Sequence, residues 1–207
     1  MGLLHFRYHN TNCFALRSSI HEEYLAIDAG WPGTLREYQR NLKSLGVDFR
    51  SLRYCFATHF HMDHAGLVGE FLDAGLRCFV LESQSDRHID MMEKTIAKGG
   101  GAYARIRKEL LERVSAEEMN RFLKERGFGG EVLATPSHSP DSVSYLSPEA
   151  EAVVGDLCPM DQIMDDPAGL EDWERLRAKG ARRIFPSHAG FFEIKGQTLG
   201  EARSELT

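Results

Sequence analysis

The chain has little of what marks a secreted, membrane-bound or nucleic-acid-binding protein. No run approaches the ~20 apolar residues of a membrane span. The amino terminus, Met1 to His9, is too polar for the core of a signal peptide. A cytoplasmic protein is therefore expected. Cysteine is scarce, with four among 207 residues, at Cys13, Cys55, Cys78 and Cys158, and no C-x-x-C pair. Their even number is compatible with disulfides without being evidence for them. Cys55 and Cys78 lie in apolar runs and read as reduced core residues. Excess positive charge is also missing. The net charge of −6 gives no general attraction to nucleic acid or anionic membrane, so neither is an expected partner. No internal repeat or low-complexity linker is present, and nothing sets an oligomeric state.

What is there suits one compact domain over residues 1–207. The hydrophobic fraction of 42% and charged fraction of 27% are ordinary for a globular protein. Phe14 to Arg17 and Tyr24 to Ile27 read as strands around a polar turn. Thr34 can cap a helix whose stripe is Leu35, Tyr38, Leu42 and Leu45, ending at Gly46. A strand over Leu52 to Thr58, a helix through Leu67 to Leu72 and a strand over Arg77 to Leu81 follow. This alternation predicts an α/β layered fold. From about 83 to 130 the pattern becomes charged and helical. Ile106, Leu110, Leu111 and Val114 fit one helix, and Met119, Phe122 and Leu123 fit another. Gly99 to Gly101 break the segment. It reads either as surface helices or as a lid over a pocket, the latter with Met91, Met92, Tyr103 and Arg105 towards substrate.

The chemistry concentrates in a hexad, His59-Phe60-His61-Met62-Asp63-His64, and in His138, Asp156 and His188. Each follows a short apolar run, so ligands ending separate strands can meet at one sheet edge. In an extended segment His59 and His61 share a face, and after a turn Asp63 and His64 can face a second position. Imidazole and carboxylate ligands suit zinc, iron or manganese. The seven side chains His59, His61, Asp63, His64, His138, Asp156 and His188 are enough for two divalent ions, zinc first among the candidates. Such a pair, ~3.5–4 Å apart, can share a hydroxide.

The hexad, Thr135-Pro136-Ser137-His138, Gly155-Asp156, Pro186-Ser187-His188 and Ile27-Asp28-Ala29-Gly30 together resemble the metallo-β-lactamase-fold superfamily, in the expected order. The resemblance implies a four-layer αββα sandwich of two mixed sheets between helices. It implies a first metal at His59, His61 and His138, a second at Asp63, His64 and His188, and Asp156 bridging them. Asp28 would orient the hexad loop through hydrogen bonds. Ser137, Asp141 and Ser187 stand where the family usually has glycine. They bear on the substrate class more than on the metals.

The expected activity is a metal-dependent hydrolase. A bridging hydroxide would attack an ester, thioester, lactone or related bond of a small molecule, and Asp63 would orient it. There is no G-x-S-x-G elbow. The alternatives are a phosphodiesterase and a mononuclear iron dioxygenase of the same fold acting on a persulfide. A secreted β-lactamase is disfavoured by the terminus, and glyoxalase II by the short carboxy-terminal part after His188. A flavodiiron-type reductase is disfavoured because His61 stands where those proteins carry glutamate. Cys158 reads as packing, Tyr145 as a strand residue, and Trp31 as pocket mouth or packing. His5, His9, His21 and His88 read as surface groups, and Phe191 and Phe192 as packing near the last ligand.

Overall fold

The structure is a computed structural model that describes residues 3–160, 162–163 and 166–194. In chain order its strands are β1 (Leu3–Tyr8), β2 (Thr11–Arg17), β3 (Tyr24–Ile27), β4 (Leu52–Phe56), β5 (Arg77–Leu81), β6 (Glu112–Val114), β7 (Glu131–Ala134), β8 (Val143–Leu146), β9 (Glu151–Gly155), β10 (Arg183–Pro186) and β11 (Phe192–Glu193). The helices are α1 (Leu35–Ser44), α2 (Val68–Asp73), α3 (Asp86–Lys98), α4 (Ala116–Glu125) and α5 (Pro167–Ala178). One sheet runs β1-β2-β3-β4-β5-β6, and the other runs β11-β10-β9-β8-β7.

Alternation along the strands builds the layers, because successive side chains point to opposite faces of a sheet. In the first sheet small residues face outward: Cys13 and Ala15 of β2, Ala26 of β3, Cys55 of β4 and Cys78 of β5. They pack under Tyr38 and Leu42 of α1, Phe71 of α2 and Ile89 of α3. Their neighbours Phe14, Leu25, Ile27, Tyr54, Phe56 and Phe79 face inward and meet Val132, Tyr145, Val153 and Phe185 of the second sheet. The far face of that sheet, with Leu146, Ala152, Val154 and Ile184, is covered by Trp173 and Leu176 of α5. Three apolar clusters thus separate four layers, helix, sheet, sheet and helix, as the resemblance implied. Met119 and Leu123 place α4 in the central cluster.

Several local expectations change. The polar amino terminus forms β1, an edge strand that pairs along its length with β2 and alternates buried Phe6 and Tyr8 with exposed His5 and Arg7. Thr34 occupies the cap position of α1, but its hydroxyl donates to the Trp31 carbonyl rather than capping the helix. The helix expected over Ile106, Leu110, Leu111 and Val114 is absent. A short 3₁₀ turn at Lys108–Leu110 leads into β6, which pairs in parallel with β5. Tertiary pairing overrides the helical spacing there: Arg77 of β5 holds Glu112 of β6, and Glu93 of α3 accepts the Ile106 N–H at 2.7 Å. Cys13, Cys55 and Cys78 are buried with free thiols, and Tyr145 is a buried residue of β8. Among the described residues no helix is long and apolar enough to cross a membrane.

Candidate metal centre

Strand direction places the site. β3 and β4 are parallel, as are β9 and β10. β7 and β9 both run antiparallel to β8, so they run the same way. Asp28 follows β3, the hexad follows β4, His138 follows β7, Asp156 follows β9 and His188 follows β10. Five loops therefore meet at the carboxyl ends of their strands. The two sheets are tied there by Asn12 of β2, whose amide donates to the Pro186 carbonyl at 2.7 Å and the Ala189 carbonyl at 2.9 Å.

The seven predicted residues come together in two groups. His59, His61, His138 and Asp156 offer one set of ligand atoms within 4.8 Å of one another, and Asp63, His64 and His188 offer a second. In the first, His61 Nδ1 lies 3.0 Å from His59 Nε2 and 3.4 Å from His138 Nε2. Asp156 reaches both groups. Its Oδ2 is 3.8 Å from His59 Nε2 and 3.7 Å from His138 Nε2, while its Oδ1 is 3.2 Å from His64 Nε2 and 3.2 Å from His188 Nε2. Asp63 Oδ2 stands 3.5 Å from His64 Nε2 and 3.2 Å from His188 Nε2.

These residues fit divalent cations. A tetrahedral site with bonds of about 2.1 Å has edges of about 3.4 Å, close to the separations seen. His64 Nε2 and Asp156 Oδ1 are buried without a hydrogen-bond partner, a costly state for polar atoms unless a ligand takes their lone pairs. The ring tautomers are set from behind. His64 Nδ1 lies 2.9 Å from Asp28 Oδ2, His188 Nδ1 lies 2.8 Å from the Asn10 carbonyl, and His59 Nδ1 lies 3.2 Å from the Thr58 hydroxyl. Where the ring is neutral, an Nδ1–H directed at each of these acceptors leaves Nε2 unprotonated and facing inward. Burial, reinforced by the neighbouring His64, pushes the His59 pKa well below the usual imidazole range. Burial also lowers that of His138. Both rings are thus held in the neutral form, the one that can donate a lone pair to a cation. Burial alone would lower the His64 pKa too, but Asp28 and Asp156 overcome it and raise it to about 10 in the metal-free protein. Asp156 is held ionised against its burial, chiefly by His64.

The loop that carries the hexad is held by buried groups, some outside the predicted set. Asp28 is fully buried with φ +66, a left-handed conformation that aspartate tolerates better than most residues. Its carboxylate accepts the Thr58 N–H at 2.7 Å and the Thr58 hydroxyl at 3.0 Å, besides facing His64. Asp141 accepts the Phe60 N–H at 2.7 Å and the Ser139 hydroxyl at 2.8 Å. Gln84 donates to the Ala57 carbonyl at 2.9 Å and the Asp141 carbonyl at 3.3 Å. Asp172 of α5 accepts the N–H of Ser137, beside His138, at 2.8 Å. Thr11 donates to Asp63 Oδ2 at 3.1 Å, and Trp31 Nε1 donates to the Thr11 hydroxyl at 3.2 Å. Gly155 has φ +58, and a Cβ there would come within 2.9 Å of the Thr58 hydroxyl, so glycine lets β9 bring Asp156 against the hexad loop. Asp141 was visible in the sequence as a departure from glycine. Thr11, Gln84 and Asp172 carried no motif.

A cavity of ≈ 810 Å³ opens beside the centre, lined by His61 and Asp63 together with Met91 and Met92 of α3. Tyr103 and Arg105 are not among its lining residues; Arg105 pairs instead with Glu93. His88, expected as a surface group, lines the cavity and caps α3 with Ser85. Phe192 packs near Trp173, whereas Phe191 is exposed and stacks on Phe185. Cys158 packs beside the α5 cluster, and its carbonyl accepts the Trp173 indole N–H at 2.8 Å.

The architecture is shared with solved structures. A metallo-beta-lactamase family protein from Thermus thermophilus is 20% identical, with a TM-score of 0.69 over 99% of this chain and 78% of that one. A protein solved in a di-iron-bound form is 22% identical, with a TM-score of 0.69 over 98% of both chains. The B3 metallo-beta-lactamase BLEG-1 is 19% identical, with a TM-score of 0.69 over 98% of this chain and 97% of that one. At these identities the likeness concerns the fold. No curated protein matches the chain significantly. The model of the metallo-beta-lactamase superfamily matches residues 7–188, from β1 to the last histidine of the site, and the chain belongs to that superfamily.

Proposed function

We propose that the protein is a hydrolase that holds two divalent cations and cleaves an ester, thioester or lactone bond in a small molecule. The observation that carries this reading is the division of labour within Asp156, whose two oxygens face two complete and separate donor groups. Paired divalent cations supply an acidified water and positive charge for the oxygen on which negative charge develops. The protein's own residues do the rest. His59, His61 and His138 would hold one cation, Asp63, His64 and His188 the other, and Asp156 both. Asp63 also lines the cavity, so its carboxylate is placed to orient the attacking water and to take its proton. Thr11 keeps that carboxylate from rotating. Asp28, Asp141 and Gln84 keep the donors fixed, so little reorganisation accompanies the reaction.

Zinc, iron and manganese all suit this donor set. A mononuclear iron dioxygenase would need one donor group, and the complete second group counts against it. The test is elemental analysis of purified protein together with turnover of thioester, lactone, cephalosporin and bis-phosphodiester substrates. About two zinc equivalents with turnover of an ester-like bond support the reading. About one iron and no hydrolysis overturn it in favour of the dioxygenase. Turnover of the phosphodiester alone moves the assignment to a phosphodiesterase.

A further inference from the structure

The cavity beside the centre carries chemistry that the metal-binding residues do not account for. Its apolar lining comes from three segments: Phe60 and Met62 in the hexad, Met91 and Met92 on α3, and Pro140 after His138. Most of its polar lining is already satisfied within the protein. Asp141 is used by Phe60 and Ser139, His88 by Ser85, and the Thr95 hydroxyl by the Met91 carbonyl. Met91 is 55% exposed, a large apolar side chain left in solvent on the lining. Its wall is anchored: Asp90 and Glu93 of α3 hold Lys108 and the Ile106 N–H. The volume of ≈ 810 Å³ lies within the ~300–1,000 Å³ range of small-molecule pockets. Methionine side chains are flexible and polarisable, and fit unbranched chains of varied length.

Resting on the hydrolase reading, we infer that the substrate carries a flexible, unbranched apolar arm that lies against Met62, Met91 and Met92 while its carbonyl faces His61 and Asp63. The class is a medium-chain acyl ester or thioester rather than an acetyl or other small polar one. Full burial of a methylene favours binding by about fourfold, so a partly buried arm gives a smaller but cumulative gain.

The test uses metal-loaded protein and 4-nitrophenyl acetate, butanoate, hexanoate and octanoate. The expected kcat/KM rises at least tenfold from acetate to octanoate. In Met91→Lys the octanoate value falls more than the acetate value, which flattens the dependence. A second readout needs no turnover: protein labelled with ¹³C at its methionine methyls is titrated with n-octanamide and with acetamide. The methyls of Met62, Met91 and Met92 shift with octanamide and not with acetamide. No dependence on chain length, or no shift at these methyls, overturns the inference while leaving hydrolysis itself intact. Shifts without hydrolysis of any ester leave the apolar site standing and remove the hydrolase reading.

Discussion

Asp141 accepts the backbone N–H of Phe60 at 2.7 Å across 81 residues of sequence, and so pins the middle of the hexad to the loop that carries His138. The family commonly has glycine at this position, and here a buried carboxylate makes a bond that glycine cannot. Asp141→Gly leaves the buried Phe60 N–H without its acceptor, which costs about 1–3 kcal/mol of stability. Metal affinity should fall about 10- to 100-fold, as for other groups that orient ligands from behind. Thermal unfolding and a competitive chelator titration measure the two effects. An unchanged affinity would show that the hexad keeps its shape without this bond.

Thr11 connects the second donor group to β2. Its hydroxyl accepts from Trp31 Nε1 and therefore has its proton left for Asp63 Oδ2. Thr11→Val keeps the shape and loses the bond, so the group formed by Asp63, His64 and His188 should bind metal about tenfold more weakly. Thr11→Ser should restore most of the affinity. A purely steric role would give the opposite order, with valine tolerated better than serine.

The clustering of the seven His and Asp side chains was legible because each follows an apolar strand run and because their spacing is local in the hexad. The layered fold was legible for the same reason, through runs such as Tyr54 to Thr58 and Ala152 to Gly155. The supports were not. Thr11, Gln84 and Asp172 lie 52, 57 and 35 residues from the partners they hold, Asp63, Asp141 and Ser137, and their residue types are common. Strand β6 was hidden because Ile106, Leu110 and Val114 have helical spacing, and only its pairing with β5 makes the segment extended. Strand β1 was hidden because its alternate polar residues, His5 and Arg7, made the terminus look merely polar.

The two donor groups should be separable by mutation. His61 is exposed and belongs only to the first group, so its removal should not disturb folding. His61→Ala should lower bound metal from about two equivalents to about one and abolish nearly all hydrolysis. His188→Ala should remove metal from the other group. Elemental analysis of each variant, with circular dichroism as the folding control, reads this directly. Two equivalents retained in His61→Ala would sink the assignment of the first group.

Metal uptake should release a proton from His64. In the metal-free protein its pKa is raised to about 10, because Asp28 and Asp156 outweigh the effect of burial. At pH 8 the ring is therefore protonated, while a metal ligand must present a neutral Nε2. Titrating metal into the metal-free protein in buffers of different ionisation enthalpy should report close to one proton released by this residue. The same shift makes stability depend on pH. A pKa raised above the unfolded value of 6.5 contributes stability that is complete below about pH 6.5 and lost as the pH rises through about 10. The metal-free protein should lose thermal stability across that window, whereas the loaded protein, whose His64 carries no such proton, should not. A parallel decline in both forms would mean that His64 is not a ligand and that the second group is held together by its own charges alone.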